Sequence, residues 1–258
     1  MSTRDRISIQ KKYETGILLL NRPEARNALE TGMLRELADS LAELENDNQI
    51  HVILLTGGKN FCAGADIREM KGMTPEAAET FARLGHSVLD QIENCAKPVI
   101  AAIAGYALGG GCELALACDM RIADETAKFG QPEVTLGLVP GFAGTQRLTR
   151  LVGASRAKEL ILTGTVIGAT EAEFIGLINR VVPDGEVMEH AEETARVISQ
   201  RSPVAVRLAK EMINRSSEFE KELAMMDVAT FGQCFATEDH TEGINAFLEK
   251  RKPRFKGI

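Results

Sequence analysis

Two glutamates, Glu113 and Glu133, stand where a carboxylate could do acid–base chemistry. Glu113 follows three consecutive glycines, Gly109 to Gly111, in GYALGGGCELALACD. Glycines allow a backbone to come close to a ligand, and the free N–H groups of a helix start can hold an anion. An acidic first turn also stabilises a helix dipole, and for Glu113 alone that reading stays open. Glu133 follows Pro132 and precedes Val134, Leu136, Leu138 and Val139 in FGQPEVTLGLVPGFAGTQRL. Among apolar neighbours a carboxyl keeps its proton to higher pH, as a general acid near neutrality must. A solvated glutamate after a proline turn is the alternative. A third segment, FCAGADI (residues 61–67), is a small-residue turn with Asp66 placed to cap a helix. Two such loops, at the ends of neighbouring parallel strands, could aim two backbone N–H groups at one oxygen. A tight strand-to-helix turn would look the same.

The elements that must position these residues alternate along the first half of the chain. Residues 7–11 and 16–20 are predicted strands. Leu29, Met33, Leu37 and Leu41, widened by Leu34 and Leu44, form the stripe of an amphipathic helix over 30–45. A buried strand is expected at 51–56, a helix at 75–94 with Pro75 at its start, and a buried strand at 99–104. This order predicts an α/β core of parallel strands with right-handed crossovers. From Ala154 onward the pattern is helical apart from one short strand, 178–182. Helices are expected over 155–162, 170–175, 185–200, 203–215, 218–236 and 238–250. Apolar faces around Met225, Met226, Phe231 and Phe235 suit packing on the core or on another subunit.

The chain has 258 residues and a net charge of −7, which argues against a surface devoted to nucleic acid. Cys62, Cys95, Cys112, Cys118 and Cys234 are odd in number and form no CxxC pair, so neither a disulfide framework nor a zinc site is expected. Reduced thiols in the cytoplasm are the simplest expectation. The start MSTRDRISIQ lacks the apolar stretch of a signal peptide, and no apolar run is long enough to span a membrane. There is no GxSxG, and His51, His86, His190 and His240 have no evident triad partners.

Taken in order, NRPEARNAL, FCAGADI, GYALGGGCE, FGQPE with PGFAGTQ, and the ending ATEDHTEGINAFLEKRKPRFKG resemble the enoyl-CoA hydratase/isomerase (crotonase) family. The resemblance is especially to its short-chain enoyl-CoA hydratases. It implies a spiral of repeated ββα units over residues 1–195 and a helical C-terminal region, 196–258, for oligomerisation and active-site cover. It implies a homotrimer or a dimer of trimers, an acyl-CoA thioester substrate, and no metal or cofactor beyond the CoA of the substrate. Glu113 and Glu133 match the family's catalytic glutamates, and the N–H groups of Ala65 and Gly110 its oxyanion-hole donors. Ala63 and the stretch Ala65, Asp66, Ile67, Arg68 match the loop that contacts CoA. Lys250 matches a basic residue near CoA phosphates and Phe231 an aromatic near adenine. Arg68 stands where many relatives have Lys, and Phe142 where some have a small residue. The implied reaction is reversible hydration of a 2-trans-enoyl-CoA. A 3-enoyl to 2-enoyl isomerase is the rival within the family, and a non-catalytic RNA-binding or scaffold relative, suggested by the basic tail from Lys250, the rival outside it.

Overall fold

The computed structural model describes residues 6–215 and 221–254. Strands β1 (Ile7–Lys12) and β2 (Thr15–Leu20) form a hairpin followed by helix α1 (Thr31–Asn46). Then come β3 (Val52–Thr56), the single turn α2 (Ile67–Met70) and the long helix α3 (Pro75–Asn94). β4 (Val99–Ile103), β5 (Tyr106–Leu108) and α4 (Gly110–Ala117) make the next unit. β6 (Met120–Asp124), β7 (Lys128–Gly130), a 3-10 turn (Pro132–Leu136) and α5 (Gly144–Thr163) repeat that plan. β8 (Val166–Gly168), α6 (Ala169–Phe174), β9 (Arg180–Val182) and α7 (Val187–Ser199) complete the core. Helices α8 (Pro203–Arg215), α9 (Lys221–Cys234) and α10 (Glu238–Leu248) follow.

Six strands form one sheet in the order β1-β2-β3-β4-β6-β9, parallel except for the β1–β2 hairpin. Successive side chains of a strand point to opposite faces, and here both faces are covered. Val52, Leu54, Ile100, Ala102 and Ile122 pack with Val187, Ala191 and Ala195 of α7. Ile53, Leu55, Ala101 and Ile103 face the larger core, which also takes in the apolar sides of α1 and α3. That double burial is why β3 and β4 are continuous apolar runs.

A second sheet of three short strands, β5-β7-β8, is the feature the periodicity does not announce. Three residues are too few to show an alternation. The expectation of one lone strand after Ala154 is therefore corrected, since β8 lies there too. Likewise the helix expected over 155–162 is the second half of α5, which begins at Gly144 and bends at Gly153, where φ is 78°. The side chains of Met225 and Met226, the start of the helix expected from residue 218, and the tail beyond Arg254 lie outside the described residues.

Candidate active site

The small sheet brings the three chemically suggestive segments side by side. Cys62 N donates to Tyr106 O at 2.7 Å and Leu108 N donates to Cys62 O at 3.1 Å, which ties FCAGADI to β5. β5 pairs in parallel with β7, and Gly109 N donates to Gly130 O at 2.9 Å. β7 runs straight into the 3-10 turn that carries Glu133. The contact between the first two segments is very close. A Cβ on Gly111 would lie 2.1 Å from the Cys62 carbonyl oxygen, so only glycine allows it.

This packing sets two amides next to each other. A Cβ on Gly110 would lie 3.3 Å from Ala65 N, and one on Gly64 would lie 3.7 Å from Gly110 N. Gly110 opens α4, so its N–H has no acceptor within the helix. Leu29 N donates to Gly64 O at 2.8 Å and Asp66 N donates to Leu29 O at 2.7 Å, which pins the loop on both sides of Ala65. Two such donors can hold an oxygen that gains negative charge.

Glu113, in the first turn of α4, is 1% exposed. Its Oε1 accepts the N–H groups of Phe142 and Gly144, each at 2.7 Å. Hydrogen bonds of that kind favour the ionised carboxylate. Glu133 differs: burial first, and the charge of Glu113 second, hold its carboxyl well above the ordinary 4.5. With the amide of Gln131 turned so that both groups are satisfied, its nitrogen donates to Glu133 Oε1 at 2.9 Å. The two carboxyls thus sit in unlike surroundings, one accepting two backbone amides and the other buried and held above its ordinary value.

A sequence model of the family described as enoyl-CoA hydratase/isomerase matches residues 13–258. The chain belongs to that family. It is 47% identical to the short-chain-enoyl-CoA hydratase of Clostridium acetobutylicum over 249 residues, covering 95% of each chain. It is 46% identical to the crotonyl-CoA hydratase of Syntrophomonas wolfei over 254 residues, covering 97% of this chain and 98% of the other. Its fold matches the crystal structure of an enoyl-CoA hydratase from Bacillus anthracis with a TM-score of 0.80. The two are 43% identical, with 98% of this chain and all of that one covered. Structural relatives of this kind carry the crotonase fold, the spiral that the alternating units form here.

In this family member Asp66 caps α2 as its sequence position suggests. Its Oδ1 accepts Arg68 N at 3.0 Å, and its Oδ2 pairs with Arg22 at 3.0 Å. Ala63, Ala65 and Ile67 are part-exposed on the same loop and Arg68 is exposed. Lys250 lies exposed just past α10. Phe231 is buried, packed against Gly141 and tilted against Phe235 at 5.3 Å, so within this protomer its ring is engaged in packing. Sequence reasoning missed Gln131, which is fully buried, and the two amides that hold Glu113. A polar residue directly before the Pro132–Glu133 turn was the one available signal for Gln131. A backbone amide has no sequence signature at all.

Phe142 closes one side of this corner. Its ring stands 5.5 Å from that of Phe81, lies against Gly85 of α3, and comes within 3.2 Å of a Cβ placed on Gly110.

Proposed function

We propose that this protein is an enoyl-CoA hydratase, adding water reversibly and syn to a short 2-trans-enoyl-CoA to give a 3-hydroxyacyl-CoA. The observation that carries this reading is the pair of carboxyls in unlike surroundings beside the Ala65 and Gly110 amides: Glu113 accepts two backbone N–H groups, and burial holds Glu133 above its ordinary value. The thioester oxygen sits between those two N–H groups, each worth about 3 kcal/mol as charge develops there. Glu113 orients water and takes its proton as the β carbon is attacked, and Glu133 delivers a proton to the α carbon. The pair titrates jointly, because each carboxyl feels the other's charge. Moving a proton between two carbons, as an isomerase does, leaves Glu113 without a task of its own. Acid–base transfer with charge held by amides needs no metal or redox group, and the proposal includes none. Exposed Arg68 and Lys250 are its candidates for the CoA phosphates, and a reducing cytoplasm suits the five unpaired thiols.

Short substrates follow from the position of Phe142. Loss of 2-enoyl-CoA absorbance should be fastest with crotonyl-CoA and fall along a series of longer acyl chains. Phe142→Ala should flatten that fall. A wild-type chain inert toward crotonyl-CoA would end the hydratase reading, whereas an unchanged profile in the variant would remove only Phe142 from the acyl wall.

We further propose a homotrimer or a dimer of trimers. Val204, Leu208 and Met212 recur every four residues along α8 and are all exposed, a stripe that another subunit would bury. Light scattering should return three or six times the chain mass, and a monomer would reject the assembly.

A further inference from the structure

Arg147 belongs to none of the groups above, yet it is 4% exposed and engaged on all sides. Its Nη1 donates to the Phe142 carbonyl at 2.8 Å. Its Nε donates to Glu93 at 2.8 Å and its Nη2 to Asp90 at 2.6 Å, both on α3. Glu93 is held in turn by Arg150 at 2.8 Å. Burial pushes the Glu93 carboxyl up, but Arg147 and Arg150 outweigh it and hold Glu93 below its ordinary value.

The residue this guanidinium grips is the one whose N–H reaches Glu113. Phe142 is therefore held from both ends, its N–H by the Glu113 carboxylate and its C=O by Arg147. The next residue, Ala143, has φ 70°, a left-handed conformation unusual for any side chain but glycine. Such a turn persists only where its surroundings fix it. It is this turn that aims the Gly144 N–H at the same oxygen, Glu113 Oε1.

We propose that Arg147, anchored on Asp90 and Glu93, is a positioning residue that holds the 142–144 turn so that its two amides fix and charge-stabilise the Glu113 carboxylate. The clamp links α3 to the acid–base pair without touching substrate. Its kinetic consequences rest on the hydratase reading, but its structural content does not. The charged and titratable groups around this corner are Asp90, Glu93 and His86 on α3, Arg150 on α5, Glu133 on the 3-10 turn, and the buried thiols of Cys112 on α4 and Cys118 just past it, both pushed up by burial. His86 is pushed down to about 4 by burial and by Arg147, so it is neutral at the working pH.

Arg147→Gln and Arg147→Lys, with Glu93→Gln as a milder variant that keeps the arginine, test this in two ways. Hydrogen exchange in the assembled protein, without substrate, should speed up at the Phe142 and Gly144 amides while β3 and β4 stay protected. In crotonyl-CoA hydration, kcat should fall about tenfold in Arg147→Gln, with KM nearly unchanged. The acid limb of the pH–rate profile should move to higher pH, because a carboxylate that loses amide donors protonates more readily. Lysine, which can serve fewer of the three partners at once, should restore part of the rate. A merely structural role would lower the rate equally at every pH. That result, or unchanged exchange at the two amides, would overturn the proposal, and Glu93→Gln decides it if Arg147→Gln does not fold. Variants that exchange as described, in a protein whose wild type fails to hydrate crotonyl-CoA, would sink the proposed function and leave the clamp standing.

Discussion

Glu113→Gln and Glu133→Gln are each expected to cut crotonyl-CoA hydration by roughly 10²–10⁴-fold while leaving the fold intact. At position 113 the amide oxygen can still accept the N–H groups of Phe142 and Gly144, so the turn keeps its anchor. What is lost is the charge that takes a proton from water. At position 133 the side-chain oxygen can still accept from Gln131, but the carboxylic proton is gone. Initial rates at saturating substrate, with circular dichroism to confirm folding, decide the matter. Near-wild-type turnover in either variant would dismiss the two-carboxyl mechanism.

Glu133→Gln carries a second expectation, on stability. The Glu133 carboxyl titrates well above 4.5 when folded and near 4.5 when unfolded. Below 4.5 both states hold the proton and burial costs nothing extra. As pH rises past 4.5 the unfolded chain releases its proton first, so the folded state loses ground until the folded carboxyl also ionises. Glutamine has no such linkage. The melting temperature of Glu133→Gln relative to wild type should therefore climb as pH rises from 4.5 through neutrality. A flat difference across that range would mean that Glu133 is not held protonated.

Gly111→Ala should damage both stability and rate. The added Cβ would stand 2.1 Å from the Cys62 carbonyl oxygen and 2.7 Å from its carbon, both backbone atoms. Neither can yield easily, because Cys62 is bonded to Tyr106 and Leu108 on either side of that point. Overpacking of this kind costs about 1–3 kcal/mol or more. For a chain of this size each kcal/mol lowers the melting temperature by roughly 2–4 °C. Separating the two loops also moves Ala65 N away from Gly110 N, and losing one such donor is worth about 10²–10³ in kcat. A variant that melted and turned over like wild type would show that the loops do not meet as described.

Much of this molecule was legible in its sequence, because short-range physics writes itself into periodicity. The stripe from Leu29 to Leu44 is α1, and the continuous apolar runs are the doubly covered strands β3 and β4. Asp66 marked its own cap, whereas the three glycines before Glu113 suggested close approach to a ligand and gave no sign that the Cys62 backbone packs against Gly111. The carboxyl-bearing segments and their order pointed to the family without any geometry.

The small sheet was not legible, since β5, β7 and β8 are each three residues long and owe their existence to one another. Yet that sheet aligns FCAGADI, Gly110 and Glu133 around one point. The difference between the two glutamates was legible only in half. Apolar neighbours suggested a protonated Glu133, whereas the amides of Phe142 and Gly144 that hold Glu113, and the Arg147 that holds Phe142, come from residues far along the chain. Sequence alone marked which two side chains could exchange protons. Tertiary structure decided how differently the two are held, because burial and hydrogen bonding are properties of the packed surroundings and not of the residue.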